Sequence, residues 1–187
     1  MKFLILKLSV LFLLFNILFA KDINLPPLEI GDLVFRKGLG AESLLIEKLS
    51  DSPYTHIAMV VQTKPIILIH ATTDDDKNKK NQVILSSLEN FVKYSHKIAI
   101  KRLKFSKENK EKIINFAKQN LGKKFVLSSS QDSLYCTTLI ENSINQVENF
   151  KINKDFVNIP YFKGYYLFPK AFFADERSVL VYESEEY

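Results

Sequence analysis

Cysteine is almost absent from these 187 residues: there is one, Cys136. A lone cysteine excludes an internal disulfide, so stability has to come from a packed core. No internal repeat is present, which removes solenoid and propeller arrays. No apolar run reaches the roughly 20 residues that a confident membrane span needs. Arginine and lysine form no dense patch with interleaved aromatics, so nucleic acid is not an expected partner. The one charge run, Asp74 to Lys80, lacks the glycine and the distal glutamate of a calcium-binding EF-hand loop, and reads as a solvated loop tip.

What the chain does contain begins with a separate leader over residues 1–20. Lys2 and Lys7 precede an apolar stretch over 8–19, and Ala20 supplies a small residue before Lys21. That is the pattern of a secretory signal peptide, with a poorer residue, Leu18, three positions before the break. An uncleaved anchor is the alternative. No cysteine follows the run, so a lipoprotein signal is excluded. The expectation is export to the periplasm or cell envelope, with a single domain over 21–187. Loss of Lys2 and Lys7 lowers the net charge from +5 to +3, a mild positive balance suited to cell wall or phospholipid.

Periodicity orders the domain. Pro26-Pro27 marks an extended lead-in, followed by a turn and strand over 29–35. A short amphipathic helix is expected over 41–49, broken by Ser50-Asp51-Ser52-Pro53. Residues 55–62 are nearly all apolar or β-branched, the mark of a strand buried on both faces. A second strand over 66–71 follows closely enough for a hairpin. Further strands are expected over 82–85 and 97–104, with a short helix between them capped by Ser86 or Ser87. Ser106 caps the clearest helix, 107–120, with Lys110, Lys112 and Lys118 placed on its wet side. The tail over 159–173 is aromatic and interrupted by Pro160, Gly164 and Pro169, and 178–183 closes the sheet. Mixed helices with mainly antiparallel strands argue an α+β fold.

Cys136 stands where a helix begins, after the possible caps Asp132 and Ser133 and before the buried stripe Leu139, Ile140, Ile144 and Val147. Free N–H groups and the positive end of the helix dipole favour a thiolate there. In an oxidising compartment a lone thiol either pairs between chains or stays reactive. A nucleophile needs a base and a group to orient it. His56 opens one strand of the expected hairpin and His70 closes the other, so the two fall opposite each other at one end. His96, beside Lys97, reads as surface. A buried structural cysteine and a backbone-satisfied buried histidine remain open as alternatives. Zinc held by two histidines and the cysteine lacks close ligand pairing and a fourth ligand.

Three motifs in order, Gly31-Asp32-Leu33-Val34-Phe35, Ser52-Pro53-Tyr54-Thr55-His56-Ile57-Ala58-Met59-Val60 and Leu134-Tyr135-Cys136-Thr137-Thr138-Leu139-Ile140, resemble the permuted papain-like amidases of the YaeF/YiiX type, within the NlpC-like cysteine peptidase superfamily. The resemblance covers most of 29–180. It implies a circularly permuted papain-like fold with Cys136 as nucleophile, His56 as base and His70 as the third polar residue. Many relatives carry Glu at that third place, and the lecithin-retinol acyltransferase-like branch carries His. Thr137-Thr138 stands where Ser-Glu is usual. Tyr54, Tyr135 and Thr137 are the residues expected beside oxyanion and substrate. The implied reaction is hydrolysis of an amide through an acyl-enzyme, without metal or cofactor, by a monomer. The expected partner is a cell-wall (peptidoglycan) peptide or an acylated lipid, with peripheral contact to membrane or wall. A non-catalytic binding module on the same fold and an envelope structural protein are the competing classes.

Overall fold

The computed structural model describes residues 25–186, so the expected leader and its junction at Lys21 lie outside the described residues. No helix among the described residues is long and apolar enough to cross a membrane. Eight strands and five helices follow in the order β1 (Asp32–Gly38), α1 (Ala41–Ser50), β2 (His56–Thr63), β3 (Ile66–Thr72), β4 (Gln82–Ser87), α2 (Leu88–Lys93), β5 (Ser95–Leu103), α3 (Lys107–Lys118), α4 (Cys136–Ile144), β6 (Asp155–Ile159), β7 (Phe162–Tyr166), α5 (Pro169–Ala174) and β8 (Ser178–Glu183). Six strands form one antiparallel sheet in the order β4-β3-β2-β1-β5-β8, and β6 pairs with β7 as a separate hairpin. The expected α+β class is what the chain adopts.

Strand alternation explains why the sheet is covered on both sides. Leu33, Phe35, Ile57, Met59 and Ile69 point to one face and pack with Ile113, Ile114 and Ala117 of α3 and Leu139, Ile140 and Ile144 of α4. Val34, Ala58, Val60, Leu68 and Ile100 point to the other, beneath Phe91 of α2. A third cluster joins Val157, Tyr166 and Phe168 to Ile46 and Leu49 of α1. The central strands therefore have no wet face, as their unbroken apolar runs require.

The Gly-Asp-Leu motif has a structural task. Gly31 holds φ at 81°, a left-handed conformation that favours glycine, and so turns the chain into β1. Asp32 is fully buried and accepts two hydrogen bonds from the Arg102 guanidinium, at 2.9 and 2.8 Å, stapling β1 to β5.

Several local expectations are corrected. The cap of α4 is Tyr135, not Asp132 or Ser133, and its backbone N–H donates to the Thr138 hydroxyl at 2.8 Å. Lys110 is not solvated: it is buried against α3's neighbours and pairs with Glu29 at 3.1 Å. Leu44 and Leu45 of α1 stay exposed, so the helix is not amphipathic in the expected sense. No strand was expected around the start of the aromatic tail, where β6 and β7 form a hairpin; the absence of a long helix there agrees with Pro160, Gly164 and Pro169. Ser87 and Ser106 cap α2 and α3 as expected, accepting from the N–H groups of Asn90 and Asn109 at 3.2 Å each.

Candidate active site

The first turn of α4 carries Cys136 into a cavity of about 690 Å³. The helix starts there because its first-turn groups are tied at several points. Thr138 accepts the Tyr135 N–H, the Thr137 hydroxyl donates to the Leu167 carbonyl at 2.7 Å, and the Tyr135 hydroxyl accepts the Leu167 N–H at 2.9 Å. Tyr135 and Cys136 line the cavity, as does His56. Thr137 is buried, with its backbone N–H beside the sulfur. Tyr54 is placed elsewhere: its hydroxyl donates to Glu183 of β8 at 2.6 Å, and its ring packs on Phe173. His96 is exposed at the start of β5.

His56 and His70 are not opposite each other. The turn falls at Lys64-Pro65 rather than near Thr63, so that Thr63 faces Ile66. A bulge between Val60 and Gln62 then moves the register one place back towards the expected pairing, with Met59 facing Ile69. On its other side His56 faces Arg36 of β1. The two histidines are diagonal neighbours, which is still within reach of two rings. His56 Nε2 and His70 Nδ1 lie 2.9 Å apart, and His70 Nε2 lies 2.9 Å from the Ser86 hydroxyl. Phe91 forms a floor beneath both, stacked on His56 and edge-on to His70.

Protons can run along this chain in either direction with neutral rings, and one direction leaves His56 able to act as a base. In that direction His56 Nε2–H donates to His70 Nδ1, and His70 Nε2–H donates to Ser86. His56 Nδ1 then keeps its lone pair, and it is the ring nitrogen not engaged with His70. Cys136 is distant in the sequence, but the fold brings the N–H of Ile57, the residue after His56, to its sulfur.

Asp75 was missed by the reading of its charge run as a solvated tip. Its Oδ1 accepts from Arg36 Nη2 at 2.8 Å, and its Oδ2 sits 3.7 Å from His70 Nδ1. Arg36 is itself buried, donates to the Phe91 carbonyl at 3.0 Å and lies over that ring. Asp75 Oδ2 has no hydrogen-bond partner of its own. The partnership joins positions 39 residues apart, and composition alone carries no signal for it.

The electrostatics set the resting state. Burial raises the Cys136 thiol to about 11, against opposing N–H groups of Ile57 and Thr137 and the Arg36 charge. This corrects the expectation of a resting thiolate: desolvation outweighs the helix start. Burial, Arg36 and His70 hold His56 well below its ordinary value, and burial lowers His70 to about 3. Asp75 is held at about 2 by the neighbouring histidines and Arg36, which overcome its own burial. The thiol and the two imidazoles of the site thus all rest neutral.

Among the described residues His56, His70 and Asp75 are the group that could meet a cation, with ligand atoms within 4.8 Å of one another. The arrangement suits a metal poorly. The histidine nitrogens are engaged with each other, the Arg36 guanidinium sits on Asp75, and a closed structural zinc site takes four ligands rather than three. No step below uses a metal.

Comparison with known proteins was informative on family and fold. A family model described as "Permuted papain-like amidase enzyme, YaeF/YiiX, C92 family" matches residues 27–173. Among solved structures the chain is similar to one described as metalloprotein yiiX from Escherichia coli O157:H7, with a TM-score of 0.72 at 19% identity, covering 85% of this chain and 99% of that one. At that identity the likeness is one of fold. No curated protein matches.

Proposed function

The chain belongs to the permuted papain-like amidase enzymes of the YaeF/YiiX type, and from that premise we propose that it is a thiol hydrolase of amide bonds using Cys136 and His56. The observation that carries the reading is the hydrogen bond between His56 Nε2 and His70 Nδ1. With His56 Nε2–H as the donor in that bond, Nδ1 keeps its lone pair and serves as the base.

The resting pair being neutral, the proton moves as the bond forms. Sγ of Cys136 attacks the carbonyl carbon while His56 Nδ1 takes the thiol proton. The imidazolium gives that proton to the leaving amine, the C–N bond breaks, and a thioester to Cys136 remains. Water then attacks the thioester with His56 again as base, releasing the acid and restoring the thiol. The first-turn N–H groups of α4, that of Cys136 itself among them, are the donors for the oxyanion. The imidazolium forms beside Asp75, whose charge favours it, and against Arg36, which opposes it. His70 and Asp75 act as positioning residues.

We further propose that the enzyme works outside the inner membrane, on the strength of the leader pattern over 1–20. The test of the reaction is Cys136→Ala. That variant should lose amide turnover and labelling by a thiol-directed acylating probe while keeping its circular dichroism spectrum. Turnover that survives the substitution would falsify the assignment.

A further inference from the structure

We propose that the acyl group received by Cys136 is a fatty acyl chain, so that the substrate is an N-acylated amphiphile rather than a cell-wall peptide. The inference deepens the hydrolase reading and rests on it.

The argument starts from what lines the cavity beyond the cysteine. One wall is Leu45, Ile46 and Leu49 of α1, and the facing wall is Val157, Phe162 and Phe168 around the β6–β7 hairpin. The Tyr166 hydroxyl is the hydrogen-bonding group of that cluster, and the side chains named on both walls are otherwise hydrocarbon. A peptide laid along them would bury most of its N–H and C=O groups without partners, each at a cost of several-fold to more than a hundredfold in binding. An alkyl chain has no such groups and gains with every methylene. At about 690 Å³ the cavity is within the range that takes a whole drug-sized ligand, far more than a scissile bond needs.

The same cavity also carries charged groups. Glu42 begins α1 and bonds Thr73, beside Asp74, Asp75 and Arg36, and Arg36 is already paired with Asp75. The site therefore combines an apolar arm for the acyl chain with acidic groups that suit a polar or cationic leaving amine. The mouth is apolar as well. Leu39, Leu45 and Leu127 line the cavity yet remain 49%, 42% and 44% exposed, so an entering chain covers side chains that are otherwise left in water.

The chemistry balances without a further reactant. The amide N-acyl bond is replaced by the Cys136 thioester, and water converts that thioester to the free fatty acid, the amine having left with the thiol proton.

The experiment uses the whole chain and a ladder of fluorogenic N-acyl aminocoumarin amides, acetyl, butanoyl, octanoyl and dodecanoyl, below their micelle concentrations. A muramyl-peptide amide is run alongside. The expected result is a rise in kcat/KM of about fourfold per added methylene until the apolar arm is full, the ratio given by about 0.8 kcal/mol for each buried methylene. Ile46→Trp, which fills that arm without adding charge, should lower the dodecanoyl-to-butanoyl ratio. A flat or falling ladder, or faster turnover of the muramyl peptide, overturns the proposal. Binding supplies a readout without catalysis: the Cys136→Ala chain should bind an environment-sensitive fluorescent fatty acid that dodecanoate displaces and a muramyl peptide does not. No binding overturns the fatty acyl proposal. Binding accompanied by no turnover of any amide by the native chain overturns the hydrolase reading alone.

Discussion

Asp75 is the residue on which the polar side of the site turns. Its neighbours leave it one well-made ion pair, to Arg36, and one oxygen facing the histidine pair without a hydrogen bond. While the rings are neutral that oxygen gains little. When His56 becomes an imidazolium the same oxygen is the only carboxylate among the charges acting on that ring, and the Arg36 cation then works against it. Asp75→Asn keeps the shape, and its amide oxygen can still accept from Arg36, but the negative charge is gone. Protonating His56 becomes harder by whatever part of its proton affinity Asp75 supplied, about tenfold in rate for each pKa unit. The expected outcome is a fall in kcat of roughly tenfold with KM little changed, and an acid limb of the pH–rate profile displaced to lower pH. An unchanged kcat would remove Asp75 from the positioning role and leave it a surface-loop anchor for Arg36.

At the scale of elements, the start of α4 shows how two threonines do what a familiar motif does otherwise. In a capping box the third helical residue accepts the N–H of the cap, usually through Glu or Gln. Here Thr138 supplies that oxygen to Tyr135, so the missing glutamate takes no structural contact with it. Thr137 ties the same turn to Leu167, just after β7, and thereby couples the nucleophile's helix to the hairpin that walls the cavity. Thr137→Val preserves volume and leaves the Leu167 carbonyl buried without its donor. It should lower unfolding free energy by about 1–3 kcal/mol in denaturant titrations, while Thr137→Ser, which keeps the hydroxyl, recovers most of the loss. Equal losses for the two variants would mean that the methyl group, not the bond, matters. Elements of this kind were legible where period and cap agree. The central strands, α3 with Ser106, and the last strand over Ser178–Glu183 follow from alternation and stripe. The β6–β7 hairpin was not, because its turn places Tyr161 at φ 67°, where sequence signals look for glycine or asparagine. The Asp75 contact escaped for a different reason: a run of aspartate, asparagine and lysine looks solvated until a buried arginine from a distant strand is brought beside it. The pairing of His56 with His70 was legible from hairpin symmetry, but a turn at Lys64-Pro65 instead of Thr63 made it diagonal.

For the whole molecule, a site built from buried neutral rings has a consequence for stability against acid. In the unfolded chain a histidine takes up its proton near 6.5, whereas folded His70 does so only at about 3, and His56 is lowered in the same direction. Between those values the unfolded state binds more protons, so stability falls as pH falls through that window and is fully present above it. The slope is up to about 1.4 kcal/mol per pH unit for each such histidine. Asp75 acts in the same sense lower down, its contribution being lost as pH drops from its ordinary 3.8 towards about 2. Replacing His70 by Gln, which can still accept from His56 Nε2–H, removes one of the two buried bases. Unfolding free energies measured by denaturant at half-unit steps from pH 7 to pH 4 should therefore show a shallower decline for His70→Gln than for the native chain, by close to one proton's worth of slope. Parallel curves would mean that folded His70 takes up its proton as it does in the unfolded chain, and its description as a buried neutral ring would have to be abandoned.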